Sequence, residues 1–124
     1  MELVKATAQD EKILVQLLRD YFLLEGKEYS SAELKHLLAR EVQHGHEFFL
    51  LKEGKDARGC ISVSMQEGNE AEIAYLTVPK EHATAGYDHS LLDYILQVCS
   101  QRGVATVHSV IPRAHELLFA QKGF

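Results

Sequence analysis

The most informative stretch of the chain is Ile73-Ala74-Tyr75-Leu76-Thr77-Val78-Pro79, with Gly86 and then Leu91-Leu92 after it. Its first six residues are apolar or β-branched and predict a strand; Pro79, which has no amide hydrogen to extend a ladder, stops it. Beyond the loop Lys80 to Gly86, Leu91, Leu92, Ile95, Leu96 and Cys99 recur at helical spacing. Gly103 then stands where a left-handed C-cap is expected.

Working upstream, Phe48 to Leu51, Gly59 to Met65 and Ile73 to Val78 are short apolar runs separated by Glu53-Gly54-Lys55-Asp56 and Glu67-Gly68-Asn69. That pattern predicts a three-strand antiparallel meander. Ser62 and Ser64 interrupt the alternation of the middle run. Earlier still, Ile13, Leu14, Leu17, Leu18 and Tyr21 predict a helix from about Gln9 to Leu24, with an oxygen of Thr7 or Asp10 capping it. Ser30 and Glu33 have capping-box spacing ahead of Leu34, Leu37, Leu38 and Val42, which predicts a second helix to about Gln43. Leu3 to Ala6 predicts an edge strand. Downstream, Val104 to Ile111 predicts a further strand and Arg113 to Gln121 a final short helix.

The order is β-α-α-β-β-β-α-β-α, an α+β (mixed α/β) arrangement in which the unit from Glu72 to Ile111 is parallel with a right-handed crossover. No repeat, low-complexity segment or long linker divides the chain, so residues 1–124 are expected to form a single domain.

Composition narrows the function classes. Apolar residues make up 46% and charged residues 25%, without blocks of like charge, which excludes disorder and fibrous repeats. Thirteen Lys and Arg against 18 Asp and Glu give a net charge of −5 with no local basic patch, so no nucleic-acid partner is expected. No apolar run approaches the roughly 18 residues of a membrane span, and Met1 to Lys5 leads into amphipathic sequence rather than a signal peptide. A cytoplasmic protein without a membrane partner is the expectation. Cys60 and Cys99 lie in apolar segments, as reduced buried thiols do. His44-x-His46 begins a strand, but without a third ligand nearby no metal is expected.

Over essentially its whole length the chain resembles the GNAT superfamily of acyl-CoA-dependent N-acyltransferases. Val4-Lys5-Ala6-Thr7-Ala8-Gln9-Asp10 resembles that family's first strand and the start of its first helix. The stretch from Ile73 through Gly86 to Leu91-Leu92 is similar to its fourth strand, pyrophosphate loop and third helix, and Gly123-Phe124 to the Gly-Phe after its last helix. The resemblance implies a mixed, mostly antiparallel sheet with helices on both faces. It also implies acetyl-CoA as cosubstrate, with the pantetheine arm lying where a bulge splays the fourth strand from the fifth. A strand, tight loop and helix place unpaired N–H groups and a positive helix end at one point, and such a point binds phosphate. Carried over, Leu76, Thr77 and Val78 face the pantetheine with backbone groups, while Ala85, Gly86, Tyr87, Asp88 and His89 surround the phosphates.

The implied activity is direct transfer of an acetyl group to a primary amine of a small molecule or protein. It needs a base for the amine and an acid for the departing thiolate. Glu72 is the base candidate and Tyr87 a candidate acid, with Tyr75, a cysteine or water as alternatives; a backbone N–H near Val78 would hold the oxyanion. Glu25, Glu28 and Tyr29 would favour a cationic acceptor.

The chain departs from the family pattern at several positions. Of three signature loop positions, Ala83, Gly86 and Asp88, only Gly86 is kept. A carboxylate about 5 Å from a phosphate costs roughly 3 kcal/mol at an effective dielectric near 20. His82 and His89, if protonated, would return part of the missing positive charge. Phe119 stands where the family usually has an acid Tyr, and Pro112 where it often has Asn. These departures leave a second reading: a non-catalytic sensor or protein-interaction module. Relatives continue beyond the Gly-Phe into a strand hairpin, so an uncovered edge on the strand Val104 to Ile111 predicts a homodimer.

Overall fold

The computed structural model describes residues 1–82 and 85–109. It contains strands β1 (Glu2–Lys5), β2 (His46–Glu53), β3 (Asp56–Gln66), β4 (Glu70–Thr77) and β5 (Thr106–Ser109). The helices are α1 (Glu11–Leu24), α2 (Ser31–Gln43) and α3 (Tyr87–Gln101), with short 3-10 turns at Ala8–Asp10 and Lys80–His82. The strands form one sheet in the order β1-β2-β3-β4-β5. Every pairing is antiparallel except β4 with β5, which is parallel from Glu70 opposite Thr106 to Ile73 opposite Ser109.

Helices cover both faces. In β2, Phe48 and Leu50 pack with α1 and α2, while Phe49 and Leu51 pack with α3. A strand buried on both sides needs a continuous apolar run rather than alternation, and residues 48–51 supply one. The α3 face closes over Ile61, Val63, Ile73 and Leu76 with Leu91, Leu92 and Ile95. The opposite face receives Leu14, Leu17, Leu18, Tyr21 and Phe22 from α1, and Leu34 and Leu38 from α2.

Local chemistry fixes the helix starts. Ser30 Oγ accepts from the Glu33 amide at 3.1 Å and Glu33 Oε1 accepts from the Ser30 amide at 3.0 Å, so the capping box forms at α2. The start of α1 differs from expectation. Asp10 turns back to accept from the Thr7 amide at 2.8 Å and pairs with Lys52 at 3.4 Å, so its carboxylate closes the preceding 3-10 turn instead of capping α1. At the end of α3, Gly103 has φ 75° and the Val104 amide bonds Cys99 O at 3.0 Å. The expectations for Ala83, residues 110–111, Pro112, the helix Arg113 to Gln121 with Phe119, and Gly123-Phe124 lie outside the described residues.

Candidate active site

The β3–β4 ladder pairs Ser62 with Ala74 and then Cys60 with Thr77, so three β4 residues answer to two on β3. The extra residue is absorbed at Tyr75, whose φ is 56°. A non-glycine residue held in that region costs on the order of 1–3 kcal/mol and persists only where its surroundings fix it. Here four rings fix it: the Tyr75 ring lies 5.3 Å from Tyr21, 5.8 Å from Phe48, 6.1 Å from His46 and 6.2 Å from Phe22. Ala74 and Tyr75 thereby line a cavity beneath α1 and α2, while Leu76 turns into the α3 core.

This cavity, about 240 Å³, has an aromatic wall of Tyr21, Phe22 and Tyr75 and a polar wall of Glu25, Glu41, His46 and Glu72. The Tyr75 hydroxyl donates to Glu41 Oε1 at 3.1 Å. His46 Nε2 lies 3.3 Å from Glu41 Oε2 and 3.9 Å from Glu72 Oε1, and its Nδ1 is 3.3 Å from Ser62 Oγ. Ser62 in turn donates to Ala74 O at 3.1 Å. Burial, then the neighbouring Glu41, pushes the Tyr75 phenol well above its ordinary range. Tyr21 is pushed up to about 12, mainly by burial and then by Glu25. Both phenols therefore stay protonated at neutral pH.

The sequence-based candidates distribute over two regions. Glu72 faces the cavity, opposite Ser64 and next to the Ala74 and Tyr75 bulge. Tyr87 does not join it: Tyr87 packs on the α3 side of the sheet, donates to Glu53 Oε2 at 3.3 Å and sits edge-on to His82. Leu76 and Thr77 are buried and Val78 is half-buried, all three beyond the last β4–β5 pair among the described residues. Thr77 Oγ1 is buried without a hydrogen-bond partner among the described residues. Gly86, at φ 77°, turns the chain into α3, with Ala85 just before it. Asp88 Oδ1 accepts from the amide of exposed His89 at 2.9 Å, so the carboxylate occupies a first-turn N–H.

Four residues of these two regions were not singled out from sequence as parts of a site. His46 was considered only with His44, which caps the end of α2 and is exposed. Glu41 is a helical residue whose role depends on the tertiary fold, and Ser62 was visible only as a break in alternation. Arg58 reaches the β4–α3 loop from β3, donating to His82 Nε2 at 3.0 Å with Asp56 and Glu53 at 3.7 and 3.9 Å. An arginine has no lone pair to offer, so in this contact the His82 nitrogen accepts and the positive charge belongs to Arg58. Among the described residues no group of three or more His, Cys, Asp or Glu side chains is arranged to hold a metal, and no helix is long and apolar enough to cross a membrane.

The profile of the acetyltransferase (GNAT) family matches residues 12–124. No curated protein sequence matches the chain. Solved structures share the fold. A predicted acetyltransferase from Clostridium acetobutylicum, solved with acetyl-CoA, superposes with a TM-score of 0.79 at 15% identity over 99% of this chain and 88% of that one. A GCN5-related N-acetyltransferase from Ralstonia eutropha gives 0.80 at 17% identity over 99% and 91%. An acetyltransferase from Trypanosoma brucei gives 0.70 at 19% identity over 99% and 91%.

Proposed function

The chain belongs to the acetyltransferase (GNAT) family, and from that premise we propose that it transfers an acetyl group from acetyl-CoA to a primary amine by direct attack. The observation that carries this reading is the half-open cavity at the β4 bulge, where Glu72 and Tyr75 meet while the same strand runs on toward the Gly86 turn.

In this reading the acceptor occupies the cavity beside Glu72. Glu25 and Glu41 at the same wall favour an acceptor arriving as a cation, and the aromatic wall suits its aliphatic stem. Glu28 is exposed and does not line the cavity, and Tyr29 packs edge-on against Phe22 at 5.0 Å. Glu72 takes one proton from the ammonium, the neutral amine nitrogen attacks the thioester carbon, and as the carbon–sulfur bond breaks the second proton lost by the nitrogen passes through water to the departing CoA thiolate. Backbone groups at Leu76, Thr77 and Val78 would carry the pantetheine, with an N–H near Val78 on the oxyanion. Ala85, Gly86, Tyr87, Asp88 and His89 would surround the phosphates, with Arg58 nearby. Tyr75, already donating to Glu41, and Tyr87, on the other face, are both poorly placed to protonate the thiolate, which leaves water for that step.

Both cysteines are buried free thiols, which supports a reducing, cytoplasmic location. Burial raises the Cys60 thiol to about 12, and Cys99 is also raised, so neither serves as a nucleophile. The reading extends to a homodimer paired along β5, one of the two outer strands of the sheet among the described residues; a doubled mass in light scattering is expected and a monomer counts against it.

The test is isothermal titration with acetyl-CoA followed by an acetylation assay against aliphatic amines and diamines. Glu72→Gln is expected to lower kcat by about 10²–10⁴-fold with acetyl-CoA affinity unchanged; an unchanged kcat removes Glu72 from the role. One observation favours the non-catalytic reading, namely the Asp88 carboxylate on the His89 amide. Wild type that fails to bind acetyl-CoA, with binding restored in Asp88→Gly, is the result that reading expects.

A further inference from the structure

His46 is the one imidazole lining the cavity among the described residues, and its side chain is only 9% exposed. The groups facing it come from every element around it: Glu41 from α2, with Arg40 of the same helix 3.8 Å from Glu41 Oε1, Ser62 from β3, Glu72 and Tyr75 from β4, with Glu25 and Tyr21 of α1 across the cavity. Their donor and acceptor capacities fix the ring. The Ser62 hydroxyl spends its hydrogen on Ala74 O, so toward His46 Nδ1 at 3.3 Å it can only accept, and Nδ1 carries a hydrogen. Nε2 lies within ion-pair distance of two carboxylates, 3.3 Å from Glu41 Oε2 and 3.9 Å from Glu72 Oε1, where a bare nitrogen lone pair would meet only other lone pairs. A hydrogen on Nε2 is the arrangement that suits these surroundings.

We propose that His46 is a positioning residue for acetyl transfer: an imidazolium, locked by Ser62 and Glu41, that holds Glu72 in place and ionised beside the acceptor amine. This rests on the reading of Glu72 as the base. Without the cation, Glu41 and Glu72 would face each other across the ring position as like charges, which favours protonation of one of them. Glu41, clamped by Tyr75, serves as the counter-ion that keeps the imidazolium there, and Glu72 is left as the carboxylate free to take a proton.

Two readouts test this. Long-range proton–nitrogen spectra of the wild-type protein without acetyl-CoA, at neutral pH, are expected to show both His46 nitrogens protonated, and Glu41→Gln to show one of them deprotonated. A neutral His46 ring in the wild type overturns the proposal whether or not any transfer is seen. In the acetylation assay, His46→Gln, which keeps an amide for Ser62 and Glu41, is expected to lose about 10- to 100-fold in kcat with the KM for acetyl-CoA unchanged. Its acid limb of kcat against pH is expected to move to higher pH, because Glu72 has lost its cationic neighbour. A loss in kcat with an unmoved acid limb means mere structural support and sinks the positioning role. A wild type that neither binds acetyl-CoA nor acetylates any amine sinks the transferase reading instead, with the nitrogen spectra still deciding the state of the ring.

Discussion

Asp88 stands in the first turn of α3 with its carboxylate on the His89 amide, where an incoming phosphate would seek the same N–H. Removing the charge while keeping the shape, as in Asp88→Asn, is expected to tighten acetyl-CoA binding about tenfold at low salt and less at high salt. Titration calorimetry at two ionic strengths checks this, and equal affinities would show that Asp88 never meets the phosphates. Glu72, picked out by its place ahead of an apolar strand and by the family resemblance, does line the cavity, which is as much as its position can say of its role. His46 was not legible from sequence. The dipeptide spacing of His44-x-His46 suggested a shared strand face, but Gly45 at φ 94° ends the turn after α2, so the two rings belong to different elements.

Among the elements, β3 and β4 depend on a close approach that sequence alone does not reveal. A Cβ on Gly59 would lie 2.6 Å from Thr77 O and 2.7 Å from Leu91 Cδ1, the first a backbone atom that cannot swing aside. Gly59→Ala is expected to cost about 1–3 kcal/mol in urea denaturation, whereas Gly54→Ala, with open space around it, bears only the strain of its positive φ. Equal losses in the two variants would mean that the β3–α3 contact is looser than described. The helices were readable from periodicity and caps, since those signals are local. The partial alternation in β3 was not, because Ser62 and Ser64 are buried polar residues serving the cavity side, a pattern that makes sense only once His46 and Gln66 supply their partners.

Across the molecule, Arg102 at the end of α3 reaches β2, donating twice to the Glu47 carboxylate at 2.9 Å, with Lys5 of β1 at 3.7 Å. The Arg102 hydrogen bonds, partly opposed by burial, hold Glu47 below its ordinary 4.5. A lowered carboxylate contributes stability above its unfolded value and loses it as pH falls through the folded one. Arg102→Met is therefore expected to cost about 0.5–1 kcal/mol at pH 7, a difference that shrinks toward zero in acid. Denaturant midpoints at neutral pH and near pH 3 check this; a gap that persists in acid would point to lost packing instead of lost charge. The layered architecture was legible as a whole because a sheet covered on both faces needs the continuous apolar run that residues 48–51 display.

Upstream of Tyr75 the odd-numbered residues of β4, Ala71 and Ile73, belong to the α3 core; downstream the even-numbered Leu76 does. The strand thus keeps two parities, and the bulge is the point where one hands over to the other. Deleting the single residue Tyr75 would remove the bulge and leave a plain alternation, with Leu76 still on the α3 side and Ser62 opposite Ala74, Cys60 opposite Thr77 in unbroken register. Tyr75, through which β4 meets Glu41 and the aromatic wall, is therefore the one position of the strand that the pairing of the sheet does not itself require.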